Sequence, residues 1–246
     1  MIERAPSLSA LMVQHLQGQE AKRFSVETDG YLHVSDLFDG CMRQIHFSRT
    51  QSVMVIQLTT ASEKMCYEMG NAIEATLRAW FIEAGILLDD GRPHLVNEEW
   101  KIVGHPDGRL RSNLLLEIKA MDPALFKLTK NRLLGYQQFQ AELYAWMDSA
   151  AQILVFCATW GQGKMPFRDH RVRFNLHTVE AVKRTLSPLM NAQAGGPLPG
   201  RVCTTADSPR AILCPFRQTC FQQPSNSQVK TLAEELKIGL FLTSAA

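Results

Sequence analysis

No stretch of the chain approaches the roughly 18–20 consecutive apolar residues that span a bilayer. No transmembrane helix and no membrane partner are therefore expected. The first 24 residues, MIERAPSLSALMVQHLQGQEAKRF, carry an early Glu and lack a sustained apolar core. They do not read as a signal peptide, so a cytoplasmic protein is expected. There is no internal repeat and no low-complexity tract, which argues against a repeat architecture. Strong charge of either sign is missing too. The formal net charge is +2, a value that neither points to nucleic acid nor excludes it, because basic residues can be clustered.

Among what is present, six cysteines are the most informative. In a reducing cytosol disulfides are not expected, which leaves buried, catalytic or metal-bound thiols. The 246 residues suffice for one large domain, or a domain with a small appendage. With 46% hydrophobic and 20% charged residues, a core of normal size is expected. Residues 1–24 suggest a short helix and a linker. Ser35 is a candidate N-cap for a short helix carrying Leu37, Phe38, Cys41 and Ile45.

From Ser62 to Ala84 the period is helical, with Met65, Met69, Ile73, Leu77, Trp80 and Phe81 on one face and Gly85 as the stop. "NEEWKIVG" and "LLLEIKA" read as two strands around a turn at Pro106-Asp107-Gly108. Residues 135–149 form a second helix, "QILVFCATW" a buried strand and "DHRVRFNL" a half-exposed one. "HTVEAVKRTLSPLM" is a third helix with Val179, Val182, Leu186 and Met190 inward, and "SQVKTLAEELKIGLF" a closing amphipathic helix. Residues 195–224, rich in Gly, Pro and Cys, need something other than a core to order them. The alternation of elements implies an α/β fold with a mixed central sheet flanked by helices.

Asp107 at a turn and Glu117 in the following strand can converge on one hard divalent cation, with the Ile118 carbonyl completing the coordination. Strand alternation turns Ile118 into the core and puts Glu117 and Lys119 on the opposite face. A lysine beside such a metal orients or deprotonates water, or stabilises charge on a phosphate. Glu74, in "GNAIEATL", can supply a third carboxylate. Tyr136, Gln140 and Tyr144 recur every four residues as a polar-aromatic stripe, beside the apolar stripe of Phe139, Leu143 and Met147. Ordinary explanations stand beside each feature. Glu-x-Lys is common on solvated strand faces, "PDG" is a turn signature, Glu74 can be an exposed helix charge, and the stripe can be a helix–sheet boundary.

In order, "GNAIE", "GHPDG", "LEIKA" and "YQQFQAELYAW" resemble the four motifs of the PD-(D/E)xK nuclease superfamily. The match is to its RecB-like branch, and within it to CRISPR-associated and phage exonucleases with an iron–sulfur cluster. It covers roughly residues 31–220. Where many members have His in the first motif, this chain has Glu74. The resemblance implies a restriction-endonuclease-like core and a Mg²⁺- or Mn²⁺-dependent DNA nuclease. Asp107, Glu117, Lys119, Gln140 and Tyr144 would be catalytic, and Glu74, Asp107, Glu117 and Ile118 would hold the metal. "CMRQIHF" and "CPFRQTC" resemble the family's early cysteine and last cysteine pair, so that Cys41, Cys203, Cys214 and Cys220 would hold a 4Fe–4S cluster, with Zn²⁺ as the alternative. Ten residues separate Cys203 from Cys214, where family members have a short spacing. Cys66 and Cys157 read as small core residues.

The implied organisation is one nuclease domain over residues 1–246, with a core at about 60–192. A cysteine-tied lobe would be formed by about 31–50 and 195–224, followed by a terminal helix at 225–246. Lys127, Lys130, Arg132 and Tyr136 would face DNA, and Arg43 and Arg217 flank the cysteines. Single-stranded DNA ends are the implied substrate. A homo-oligomer or a protein partner of recombination or CRISPR type is also compatible. A silent DNA-binding subunit of the same fold, an endonuclease of the same chemistry and a zinc-bound structural protein are the other readings.

Overall fold

The computed structural model describes residues 30–50, 60–88, 91–159, 167–222 and 229–236. The helix and linker expected in residues 1–24 lie outside them. The central sheet has four strands: β4 (Gly108–Arg109), β5 (Leu115–Met121), β6 (Gln152–Thr159) and β7 (Phe167–Arg173), in that spatial order. The β4–β5 and β6–β7 pairs are antiparallel, and β5–β6 is parallel. A parallel pair requires a crossover. Here it runs through α4 (Pro123–Leu128) and α5 (Gly135–Met147). A smaller sheet holds β1 (Leu32–His33), β3 (Ile102–Gly104) and β2 (Leu95–Asn97), with β3 central.

Strand alternation sends the side chains of the central sheet into two apolar layers. Leu115, Met121, Ile153, Val155, Cys157 and Val172 pack against α5 and α6 (Leu176–Gln193) through Phe139, Leu143, Val182, Leu186 and Leu189. Leu116, Ile118, Leu154, Phe156 and Ala158 pack against α3 (Ala61–Glu83) through Ile73, Leu77 and Phe81. Both faces of β5 are thus covered, and Glu117 and Lys119 share a face that is otherwise apolar.

The helix ends are written locally. Thr60 and Glu63 form a capping box at the start of α3, and Gly85 follows its end at φ +68°. The Asp122 side chain caps α4, with Pro123 in the first turn. Asn175 caps α6.

Several expectations are corrected. Ser35 caps nothing, because the helix breaks at 38–41 into α1 (Val34–Leu37, preceded by His33) and α2 (Met42–Thr50). Only the end of "NEEWKIVG" is a strand, β3, and residues 98–101 are the hairpin turn that joins it to β2: Asn97 Oδ1 accepts from Trp100 N, and Lys101 takes φ +50°. The Pro106-Asp107-Gly108 segment joins two sheets, since β3 and β5 do not pair. The apolar stripe of α3 is buried only around Leu77, and Met65, Met69 and Trp80 are exposed. Cys66 lies on that exposed surface, whereas Cys157 is buried as expected. The closing helix is reduced, among the described residues, to α9 (Leu232–Glu235). Residues 195–222 contain α7 (Pro209–Ile212) and α8 (Arg217–Gln222).

Two glycines explain the spelling of "GHPDG". A Cβ on Gly104 would meet the Tyr144 ring at 2.5 Å, and one on Gly108 would meet Leu87 at 2.5 Å. Both ends of the segment holding Asp107 are packed against neighbours. Gly104→Ala should therefore cost about 1–3 kcal/mol, the usual penalty of overpacking. It should also dislodge Tyr144. Urea melts of the full chain measure the first effect, and an unchanged midpoint would show that the contact yields freely.

Candidate active site and cysteine cavity

At the junction of the two sheets the motif residues converge. Asp107, 4% exposed, turns back onto β5, where its Oδ2 accepts from the Ile118 N–H at 2.7 Å. The N–H of Ile118 is thus the group that meets Asp107, while its side chain lies in the α3 layer. One residue earlier, Glu117 is 5% exposed. Lys119 Nζ donates to Glu117 Oε1 at 2.7 Å and to Gln140 Oε1 at 2.8 Å. Gln140 Nε2 in turn donates to the Tyr144 hydroxyl at 2.9 Å, which also has a backbone hydrogen bond from His105. Two residues of the polar stripe of α5, Gln140 and Tyr144, are thus linked in a hydrogen-bonded chain to Lys119. Tyr136, at the start of α5, is half exposed and lies near Lys119.

Glu74 reaches the same place from α3. Arg92 bridges it to Asp107: the guanidinium pairs with Glu74, and Nη1 lies 3.4 Å from Asp107 Oδ1. Arg92 carries no motif signal, and its only sequence cue is a basic residue between Gly and Pro in "DDGRPH". Three exposed histidines, also missed, stack beside Asp107. His94 and His105 lie 4.8 Å apart, and His33 and His105 5.7 Å apart, between ring centres. They come from separate stretches of sequence, so no spacing announces them. Lys127 lies on α4, and Lys130 and Arg132 in the turn after it; all three are exposed. The basic loop expected there is thus partly a capped helix.

Crowding the acids changes their chemistry. Burial, and then the Asp107 charge, push the Glu74 carboxyl up to about 7, against Arg92 and Arg78. Burial likewise pushes Glu117 up to about 7, against the pull of Lys119. Burial alone would lower Lys119, but the Glu117 charge and hydrogen bond outweigh it and hold the ammonium above its usual range. Burial raises the Tyr144 hydroxyl, so it stays protonated and able to donate.

The donor set suits a hard divalent cation. Glu117 Oε2 is buried and has no hydrogen-bond partner among the described residues, a costly state for a carboxylate oxygen. A cation from the chain itself already lies between Glu74 and Asp107. Among the described residues, no three His, Cys, Asp or Glu side chains are closed up tightly enough to hold a metal as they stand.

A second group forms where the chain's distant parts meet. Cys41, Cys203, Cys214 and Cys220 line one cavity, together with Phe47, Phe216 and three arginines, Arg201, Arg210 and Arg217. All four thiols are free. Burial raises Cys214, and the other three thiols raise it further. Burial raises Cys220 too, while Arg43 and Arg201 oppose the rise. Arg43, 1% exposed, donates from Nη1 to the Pro199 carbonyl at 3.1 Å and from Nη2 to the Cys220 carbonyl at 3.4 Å. Four soft donors beside arginines have the chemistry of a thiolate-bound metal centre, and among the described residues no three of them are closed up tightly enough to hold a metal as they stand.

No family model matches the chain, and no curated protein does. Its fold, however, is similar to that of an alkaline exonuclease from Laribacter hongkongensis. The two are 14% identical over 74% of this chain and 93% of that one, with a TM-score of 0.51. The structure of the same exonuclease in complex with dAMP gives 13% identity over 68% and 89%, with a TM-score of 0.53. At these identities the likeness establishes the fold alone: mixed sheets flanked by helices.

The raised carboxyls make a pH signature. Between about 4.5 and 7 the folded chain keeps protons on Glu74 and Glu117 that the unfolded chain has released. The folded state binds more protons in that window, so their contribution to stability is lost as pH rises through it. Glu74→Gln, compared with the unchanged protein in chelator, should gain on the order of 1–3 kcal/mol in relative stability between about pH 5 and 8. A gap that does not widen with pH would mean that Glu74 is ionised throughout.

Proposed function

We propose that the protein is a Mg²⁺- or Mn²⁺-dependent DNA nuclease of the PD-(D/E)xK type, an exonuclease working on single-stranded ends. The observation that carries this reading is the buried Asp107–Glu117–Lys119 set, with one Glu117 oxygen left unpartnered. The fold likeness to an alkaline exonuclease, solved in one case with dAMP, supports it. Preference for single-stranded ends and membership of the RecB-like branch rest on the motif resemblance.

Glu74, Asp107 and Glu117 would hold the metal. A divalent cation bound there supplies charge neutralisation on the phosphate and an acidified water. The rest is the work of the chain's own groups. Asp107 is oriented by the Ile118 N–H. Lys119 Nζ is fixed by Glu117 and Gln140, which leaves one ammonium N–H to point at water or at a phosphate oxygen. As an ammonium it stabilises developing negative charge. Gln140 and Tyr144 keep that lysine aimed. Lys127, Lys130, Arg132 and Tyr136 receive the DNA backbone and bases.

Asp107→Ala and Glu117→Ala should each slow single-turnover cleavage of end-labelled linear single-stranded DNA by roughly a hundredfold or more. Cleavage should require Mg²⁺ or Mn²⁺, stop with chelator and spare closed circles. Wild-type rates in either variant would end the assignment, and cleaved circles would make the enzyme an endonuclease.

For the cysteine cavity we assign a 4Fe–4S cluster, with Zn²⁺ as the alternative. It would tie α2 to the segment around α7 and α8 and couple metal binding to folding. Protein purified without oxygen should be brown. Replacing Cys41, Cys203, Cys214 or Cys220 with Ala should bleach it, and Cys66→Ala or Cys157→Ala should not. Colourless protein with stoichiometric zinc would refute iron and keep the ligands.

A further inference from the structure

Arg92 sits between Gly91 and Pro93, in the segment from α3 to β2. It makes ion pairs to two of the three candidate metal-binding acids. The formal charges already balance there. With all three acids ionised, Glu74, Asp107 and Glu117 contribute three negatives, and Lys119, Arg92 and Arg78 contribute three positives. A dication added to this set leaves an excess of two positive charges. The least constrained of the three cations is Arg92. Lys119 has a 20% exposed side chain and is bound to Gln140 as well as Glu117. Arg78 is built into α3. Arg92 lies outside helix and sheet, and its side chain is 51% exposed.

On the reading that this site hydrolyses phosphodiesters, we infer that Arg92 is its phosphate-binding residue. Without metal it serves the acids as an internal counter-ion; when Glu74 and Asp107 turn to a divalent cation, it passes to the non-bridging oxygens of the scissile phosphate. The exchange is chemically conservative, because the guanidinium fork matches carboxylate and phosphate oxygens alike. It is also favoured by charge. Once the acids bind a dication, Arg92 has lost its partners and faces a positive site, and the singly charged phosphodiester is an anion that offsets half of that excess. The same side chain therefore weakens metal binding in the resting chain and strengthens phosphate binding in the working one.

The two roles separate experimentally in the full chain, with Mn²⁺ binding read by electron paramagnetic resonance and single-turnover cleavage of end-labelled linear DNA at saturating Mn²⁺. Arg92→Ala should tighten Mn²⁺ binding about tenfold, by removing the competing cation, and slow cleavage about a hundredfold, by removing a charge-stabilising group. Arg92→Lys keeps the charge and loses the fork. It should bind Mn²⁺ as weakly as the unchanged protein and still cleave slowly. Arg92→Gln repeats the charge-removal test should Arg92→Ala lose its fold. Unchanged Mn²⁺ affinity on removing the charge, or full cleavage rates without Arg92, would overturn the inference while leaving the nuclease reading in place. An unchanged protein that neither binds Mn²⁺ nor cleaves would remove both.

Discussion

Like-charged carboxylates brought together out of water repel one another and lose hydration, and the rest of this structure is arranged around holding three of them. Glu117 is placed by its strand, one residue from a buried Ile118 and beneath α5. Asp107 is drawn in by a main-chain N–H of the same strand. Glu74 comes from a helix packed on the opposite face. Each acid has a cation assigned to it, and burial still lifts Glu74 and Glu117 to about 7. The proposed divalent cation would relieve this tension, since a buried pair with incomplete hydrogen bonding stabilises a fold poorly.

The small sheet and α5 transmit this constraint. Tyr144 packs against Gly104, takes a hydrogen bond from His105 and holds Gln140, which holds Lys119. A disturbance at the end of β3 is thereby felt two side chains away at the ammonium. The arrangement places the aiming groups on a helix and two strands, and elements of that kind hold a geometry better than loops do.

The cysteine cavity answers a different difficulty. Residues 195–222 contain two short helices and few buried apolar side chains. What ties them to α2 is Arg43, buried with its guanidinium on two carbonyls from the far end of the chain, and Phe47 against Phe216. The four thiols sit in the space these contacts leave. A metal there would add the cohesion that a small core cannot supply.

Period and spacing in the chain were enough to place α3, α5, α6, β5 and β6, because long amphipathic or apolar runs have few alternatives. They also put Glu117 and Lys119 on one face, a direct result of the two-residue repeat of a strand. Short pieces were read wrongly. A three-residue strand beside a turn, as in "NEEWKIVG", has no period to detect, and the break after Leu37 depends on packing. The tertiary structure alone decided which charges meet. Arg92 and Glu74 are eighteen residues apart, and Arg43 and Cys220 one hundred and seventy-seven. Local sequence governs how a segment folds against itself. The pairing of a counter-ion with its acid depends on where whole elements come to rest.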